Sequence, residues 1–191
     1  MLSITGGEFK GRVVKTPSRK MTRHTPSLAR RALFDAIDPR EAVFLDLFSG
    51  SGIMSLEAIS RGAAKAICVE VSKTACAAIR ANRSAFCLDN DTLTVICADF
   101  RRAIGMLARE YSSFDLVFAD PPFERGFLSD VVAHLGQYAQ SFLLSSIVIE
   151  VSPDLLEEVE EAVSKTSFSV VSIRTYSGVK LVFLEVSTDE S

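Results

Sequence analysis

From residue 43 to near its end the chain alternates short apolar runs with longer amphipathic segments, and no other feature restricts its possible folds as severely. Strands are expected at 43–47, 65–70, 92–97, 114–119, 145–151, 167–175 and 179–186. Between the first six, apolar residues recur at helical spacing, which predicts helices at 53–61, 73–87, 100–110, 127–138 and 153–165. Strands joined through helices run parallel and are covered on both faces, so runs such as Ser145-Ser146-Ile147-Val148-Ile149 have no polar side to show. Only a few residues around Tyr176-Ser177-Gly178 separate the last two strands, too few for a crossover, so these form an antiparallel hairpin. The expected fold is α/β: a seven-stranded, doubly wound sheet with an antiparallel last strand, whose ligands bind beyond the carboxyl ends of the strands.

The 191 residues suit one compact domain with a small appendage, and 48% apolar against 24% charged residues supports a sizeable core. Ahead of the alternating region, Leu2 to Thr5, a Gly6-Gly7 turn and Arg12 to Lys15, stopped by Pro17, read as a small β element. Thr25 is expected to cap a helix with Pro26 at its first position and Leu28, Ala32, Leu33, Ala36 and Ile37 on one face. The net charge of -3 argues against a polyanionic partner, but it is unevenly distributed: residues 1–31 carry +7 and the rest about -10. Such an arm is either a nucleic-acid contact or simply a well-hydrated segment. Glu150, Asp154, Glu157, Glu158, Glu160 and Glu161 crowd a late helix expected to face solvent. No apolar run reaches the roughly 18 residues of a membrane span, and the start lacks a signal-peptide core, so no membrane contact and a cytoplasmic location are expected. Cys68, Cys76, Cys87 and Cys97 lack metal-ligand spacing and read as small buried hydrophobes; no metal is expected.

The chemistry concentrates at the strand ends. The first strand runs into Asp46-Leu47-Phe48-Ser49-Gly50-Ser51-Gly52 and then a helix, a tight loop that lets a ligand approach backbone at a helix N-terminus. A dinucleotide fingerprint would place a third glycine at position 55, where this chain has Ser55, which disfavours an NAD-dependent enzyme. Asp46 suits a cationic ligand better than a pyrophosphate, and S-adenosylmethionine, with a sulfonium and an ammonium, is such a ligand. Glu70 ends the second strand, where a carboxylate can accept ribose hydroxyls. Asp99, after the third, could accept from an adenine amino group with Phe100 alongside the ring. Each acid has the alternative reading of a helix N-cap. The fourth strand ends in Asp120-Pro121-Pro122-Phe123, either a stiff turn or a platform for a planar amino group. In the second case Asp120 and the Pro121 carbonyl accept the two N–H bonds while Phe123 stacks on the ring.

Gly6-Gly7-Glu8-Phe9-Lys10-Gly11-Arg12, Arg30 with Ala32-Leu33-Phe34, the stretch Asp46 to Ala63, Asp120 to Phe123, Ile149-Glu150 and Tyr176-Ser177-Gly178 together resemble the RsmD-type family of 16S ribosomal RNA guanine-N2 methyltransferases. The resemblance implies a Rossmann-like class I S-adenosylmethionine-dependent methyltransferase fold with a small N-terminal hairpin and helix extension. Residues 1–40 would form that basic extension and 41–191 the methyltransferase domain. It implies the donor bound by Asp46, Phe48, Gly50, Gly52, Glu70, Asp99 and Phe100, the target base at Asp120, Pro121, Pro122 and Phe123, and 16S rRNA, in an assembled or assembling small subunit, as substrate. The charge of the N-terminal arm makes Lys10, Arg12, Lys15, Arg23 and Arg30 the expected RNA contacts. A monomer is expected. The chain departs from the family at Arg23-His24-Thr25-Pro26-Ser27-Leu28 and at Arg31. Two other functions fit less well: amino methylation of another base such as adenine N6, and a non-catalytic RNA-binding assembly factor.

Overall fold

The computed structural model describes residues 2–17, 24–124, 126–139 and 143–187. One mixed sheet organises them, its strands being β1 (Val43–Leu47), β2 (Lys65–Glu70), β3 (Leu93–Cys97), β4 (Ser113–Ala119), β5 (Leu143–Val151), β6 (Phe168–Tyr176) and β7 (Val179–Val186). Their spatial order is β3-β2-β1-β4-β5-β7-β6, with β7 antiparallel to both its neighbours and every other pairing among β1 to β5 parallel. The order reverses between β1 and β4, which puts the ligand crevice beside Asp46 and Asp120.

Helices α1 (Ser27–Ala36), α2 (Ile53–Ser60), α3 (Lys73–Ala85), α4 (Phe100–Glu110), α5 (Phe127–Tyr138) and α6 (Leu156–Val163) cover the sheet. Alternate residues of each strand enter different cores: Leu45, Leu47, Val117 and Ile149 pack on the α4–α6 side, Phe44, Cys68, Phe118 and Val148 on the side of α1 to α3. Both cores are apolar, which is why the strands show no polar alternation.

Most element ends fall within one or two residues of expectation, and the larger differences are at helix ends. Pro26 is the N-cap of α1 rather than its first residue, and no side chain caps that end. The last expected helix opens as a 3-10 turn at Pro153–Leu155 before α6. Helix α3 ends at Ala85, and Cys87 then adopts φ 58. Cys97, expected inside, is exposed at the end of β3, and Cys87 is exposed too, whereas Cys68 and Cys76 are buried. Glu150, assigned above to a solvated helix, lies on β5 at 0% exposure on the side of α1, where its charge acts on Arg30. Among the described residues no helix is long and apolar enough to cross a membrane.

The N-terminal segment forms a hairpin reduced to one antiparallel bridge, Ser3 to Val13, with Ile4 and Val14 in the core beside α1 and α2. Its glycines do more than turn the chain. A Cβ on Gly7 would sit 1.8 Å from the Ser60 carbonyl oxygen at the end of α2, and Gly7 has φ +75, so only glycine lets the hairpin pack this closely.

Candidate active site

Asp46 is 1% exposed and points from β1 to the first turn of α2, where its Oδ2 accepts the Ser55 hydroxyl at 2.8 Å and the Ser55 N–H at 3.2 Å. The Cys68 thiol in turn donates to the Ser55 oxygen at 3.0 Å. Ser55, visible in the sequence only as a missing glycine, thus fixes α2 to the end of β1. Burial, with Asp120 and Glu70 contributing as like charges, pushes the Asp46 carboxyl up to about 7 from 3.8. Because the folded value is the raised one, folding holds a proton there that the unfolded chain releases. Stability from this group is therefore full below 3.8 and falls as pH rises to about 7. Asp46→Asn is expected to stabilise the protein more at pH 8 than at pH 5, the two gains differing by about 2–3 kcal/mol at about 1.4 kcal/mol per unit; urea unfolding at the two pH values measures it.

The loop after β1 is wound left-handed at Phe48 (φ 65), Gly50 (φ 54) and Gly52 (φ 76), an unusual conformation for a phenylalanine. Glu70 holds it: Oε2 accepts the Gly50 N–H at 2.9 Å and Oε1 the Ser72 N–H at 2.8 Å, so the end of β2 and the loop share one carboxylate. Gly52 is the N-cap of α2.

Two recesses meet at Phe48. The larger, about 260 Å³, is lined by Phe48, Glu70, Val71, Asp99, Phe100 and Phe127, with Val69, Ala98, Pro122 and Glu124 completing it. Phe48, Phe100 and Phe127 pack together tilted or edge-on, with 5.2–5.7 Å between ring centroids and planes inclined by 51–65°, and form an aromatic floor. Val71, unremarked in the sequence, is an apolar side chain 68% exposed at this cleft. Asp99 caps α4, accepting the Arg101 N–H at 2.9 Å, and pairs with the Arg101 guanidinium, which also bonds Asp130. The capping alternative therefore applies to Asp99 while it still borders the cleft. The second recess is narrow and lined by His24, Thr25, Asp46, Ser49, Gly50, Ser51, Met54 and Asp120. His24 had no assigned role in the sequence; burial and then the Arg30 charge lower its pKa, which favours the neutral imidazole.

Asp120 follows β4 and extends its pairing to β1, its N–H reaching the Leu47 carbonyl at 3.4 Å. Pro121 is buried and Pro122 exposed, while Phe123 is half-buried and packs against the α4–α6 core rather than lining either recess. The sheet thus brings Asp46, Phe48, Gly50 and Asp120 around one recess and Glu70, Asp99, Phe100 and Pro122 around the adjoining one.

The basic arm divides. Lys10 and Lys15 are exposed. Arg12 is exposed but committed: its guanidinium lies over Phe86 at 4.1 Å and Phe9 at 5.1 Å and donates to the Ala85 carbonyl at 2.6 Å. Arg19, Lys20 and Arg23 lie outside the described residues. Arg30 corrects the sequence expectation outright. It is 3% exposed and donates to Glu57 at 3.3 Å, to the Thr25 carbonyl at 2.8 Å and to the Ser3 carbonyl at 2.8 Å, so it cannot reach a phosphate. Among the described residues no three His, Cys, Asp or Glu side chains are grouped to hold a metal.

The family model described as conserved hypothetical protein 95, the RsmD family, matches residues 2–184. The chain belongs to this family. The ribosomal RNA small subunit methyltransferase D of Escherichia coli is 32% identical over 133 residues, 69% of this chain and 65% of that protein, so the match spans slightly less than two thirds of the relative. Among solved structures, a hypothetical protein of Thermus thermophilus superposes with TM-score 0.79 at 26% identity, covering 97% of this chain and all of the other. The Escherichia coli protein yhhF does so with TM-score 0.76 at 25% identity, covering 98% and 99%. The RsmD-type resemblance and the Rossmann-like class I methyltransferase fold both hold.

Proposed function

We propose that this RsmD-family chain transfers a methyl group from S-adenosylmethionine to the exocyclic N2 of a guanine in 16S rRNA of the small ribosomal subunit. The observation that carries this reading is the meeting, at the reversal point of the sheet, of a buried carboxylate recess with an Asp-Pro-Pro loop. Asp46 has the chemistry for a cation: a carboxyl that burial holds near pH 7 ionises more readily beside an ammonium or sulfonium. The apolar cleft with its aromatic floor and the Glu70 carboxylate at its rim fit an adenosine. The donor supplies an electrophilic methyl on sulfur. On the protein side, Asp120 and the Pro121 carbonyl accept hydrogen bonds from the two N–H of the amino group, aim its nitrogen and stabilise the positive charge that develops on it as the N–C bond forms and the S–C bond breaks, after which S-adenosylhomocysteine leaves and the nitrogen releases one proton. Because Asp46 must ionise, donor affinity is expected to fall as pH drops below about 7.

Lys10 and Lys15 supply exposed cationic contacts to the RNA backbone. Changing both to alanine should reduce the slope of log affinity against log salt by about 1.5, at about 0.7–0.9 per phosphate contact, leaving donor affinity unchanged. Equal loss of donor and RNA affinity would instead mark the arm as purely structural. The function itself is tested by incubating the protein with labelled donor and unmodified 16S rRNA, free and in small subunits, then digesting the RNA to nucleosides. N2-methylguanosine is expected. No transfer to either form would refute the proposal, and label in N6-methyladenosine would assign a different base.

A further inference from the structure

We propose that Asn82 is a positioning residue that couples RNA binding on the N-terminal arm to donor binding at the glycine loop. The inference rests on the proposed function. Asn82 lies on α3, 1% exposed, between the two elements. Its Oδ1 accepts the Lys15 N–H at 2.9 Å, and its Nδ2 donates to the Lys15 carbonyl at 2.9 Å and to the Ser51 carbonyl at 3.1 Å. Both amide hydrogens are therefore spent, one on the arm and one on the loop.

Ser51 is buried and lines the same recess as Asp46 and Asp120, between the left-handed Gly50 and Gly52. Lys15 presents its side chain to solvent while its main chain is clamped. Elsewhere the arm is fastened to the end of α3, through Phe9 against Phe86 and Arg12 on the Ala85 carbonyl. Asn82 is thus a side chain whose hydrogen bonds join arm and loop directly. Phosphate contacts that fix the arm fix the Asn82 amide, and with it the Ser51 carbonyl and the loop the donor must occupy. Each ligand then orders what the other needs ordered, and the effect is reciprocal.

The test is equilibrium dialysis of labelled S-adenosylhomocysteine against the intact protein, with and without saturating unmodified small-subunit rRNA. For the wild type, RNA is expected to tighten nucleoside binding about tenfold. In Asn82→Ala both ligands should still bind, but the enhancement should fall to within about twofold of unity; simple loss of stability would shift the melting temperature without changing this ratio. Asn82→Asp keeps the acceptor for the Lys15 N–H but loses the donors to both the Lys15 and the Ser51 carbonyls, so it should also lose the enhancement. Should neither variant fold, Phe9→Ala loosens the arm without touching the loop and should reduce the enhancement while leaving affinity without RNA unchanged. A full enhancement in folded Asn82→Ala, or in Phe9→Ala where that variant decides, overturns the proposal. RNA binding by the wild type that leaves nucleoside affinity unchanged overturns it alone, whereas absence of RNA binding overturns the proposed function as well.

Discussion

Replacing Asp120 with alanine is expected to lower methyl transfer by about 10²–10³-fold, the usual cost of removing one group aimed at developing charge, with donor affinity preserved. The preservation follows from the structure. Glu70 and Ser55 organise the loop at the end of β1, and the Asp120 charge is one of the influences that raise the Asp46 carboxyl toward 7. Removing that charge lets Asp46 ionise more readily, so donor binding near neutral pH should be equal or slightly tighter. Asp120→Asn keeps an acceptor oxygen but loses the negative charge that faces the developing positive charge, so it should also be impaired, though less than Asp120→Ala. Single-turnover rates at saturating donor, set beside donor dissociation constants, separate the two effects. Retained activity in Asp120→Ala would remove the Asp-Pro-Pro loop from the chemistry.

The second large effect concerns a residue remote from the chemistry. Glu57 is 0% exposed on α2 and accepts the Thr5 N–H at 2.7 Å, the Thr5 hydroxyl at 3.1 Å and the Arg30 Nε at 3.3 Å, with Arg61 Nε at 3.6 Å. One carboxylate therefore ties the hairpin, α1 and α2 together. Glu57→Ala leaves the Arg30 guanidinium buried without its ion-pair partner and should cost about 3–5 kcal/mol, a drop on the order of 10 °C in melting temperature. The double variant Arg30→Met/Glu57→Leu should cost less than Glu57→Ala alone, since it removes the stranded charge along with its partner. Thermal unfolding of both variants checks this; equal losses would mean that the packing, not the ion pair, is what matters.

The fold was legible because parallel strands need crossovers: the alternation after residue 43 gives strand number and helix placement, and the short span at Tyr176-Ser177-Gly178 can only reverse β7 against β6. The strand-end acids were legible for the same reason, since the topology alone sends Asp46, Glu70, Asp99 and Asp120 to one edge. What the sequence hid were polar residues whose partners lie far along the chain. Glu57 meets Thr5 52 residues away, Arg30 meets Glu57 27 away, and Asn82 meets Lys15 67 away. No local pattern distinguishes such side chains from solvated ones. One signal was available: α2 is apolar around its circumference, with Ile53, Met54, Leu56 and Ala58 all buried, so a glutamate within it had to be paired. The charge of the arm misled in a related way. Of the eight cations behind its +7, Lys10, Lys15 and Arg31 lie at the surface, Arg12 is exposed but held over Phe86, Arg30 is inside the core, and Arg19, Lys20 and Arg23 lie outside the described residues, so the charge total does not say how many of them face outward.

The most direct measurement is nucleoside mapping of small-subunit rRNA from cells lacking this protein. One N2-methylguanosine is expected to be missing, restored by the wild-type chain and not by Asp120→Ala. An unchanged methylation pattern, or loss of a methyl group from a base other than guanine, would contradict the account.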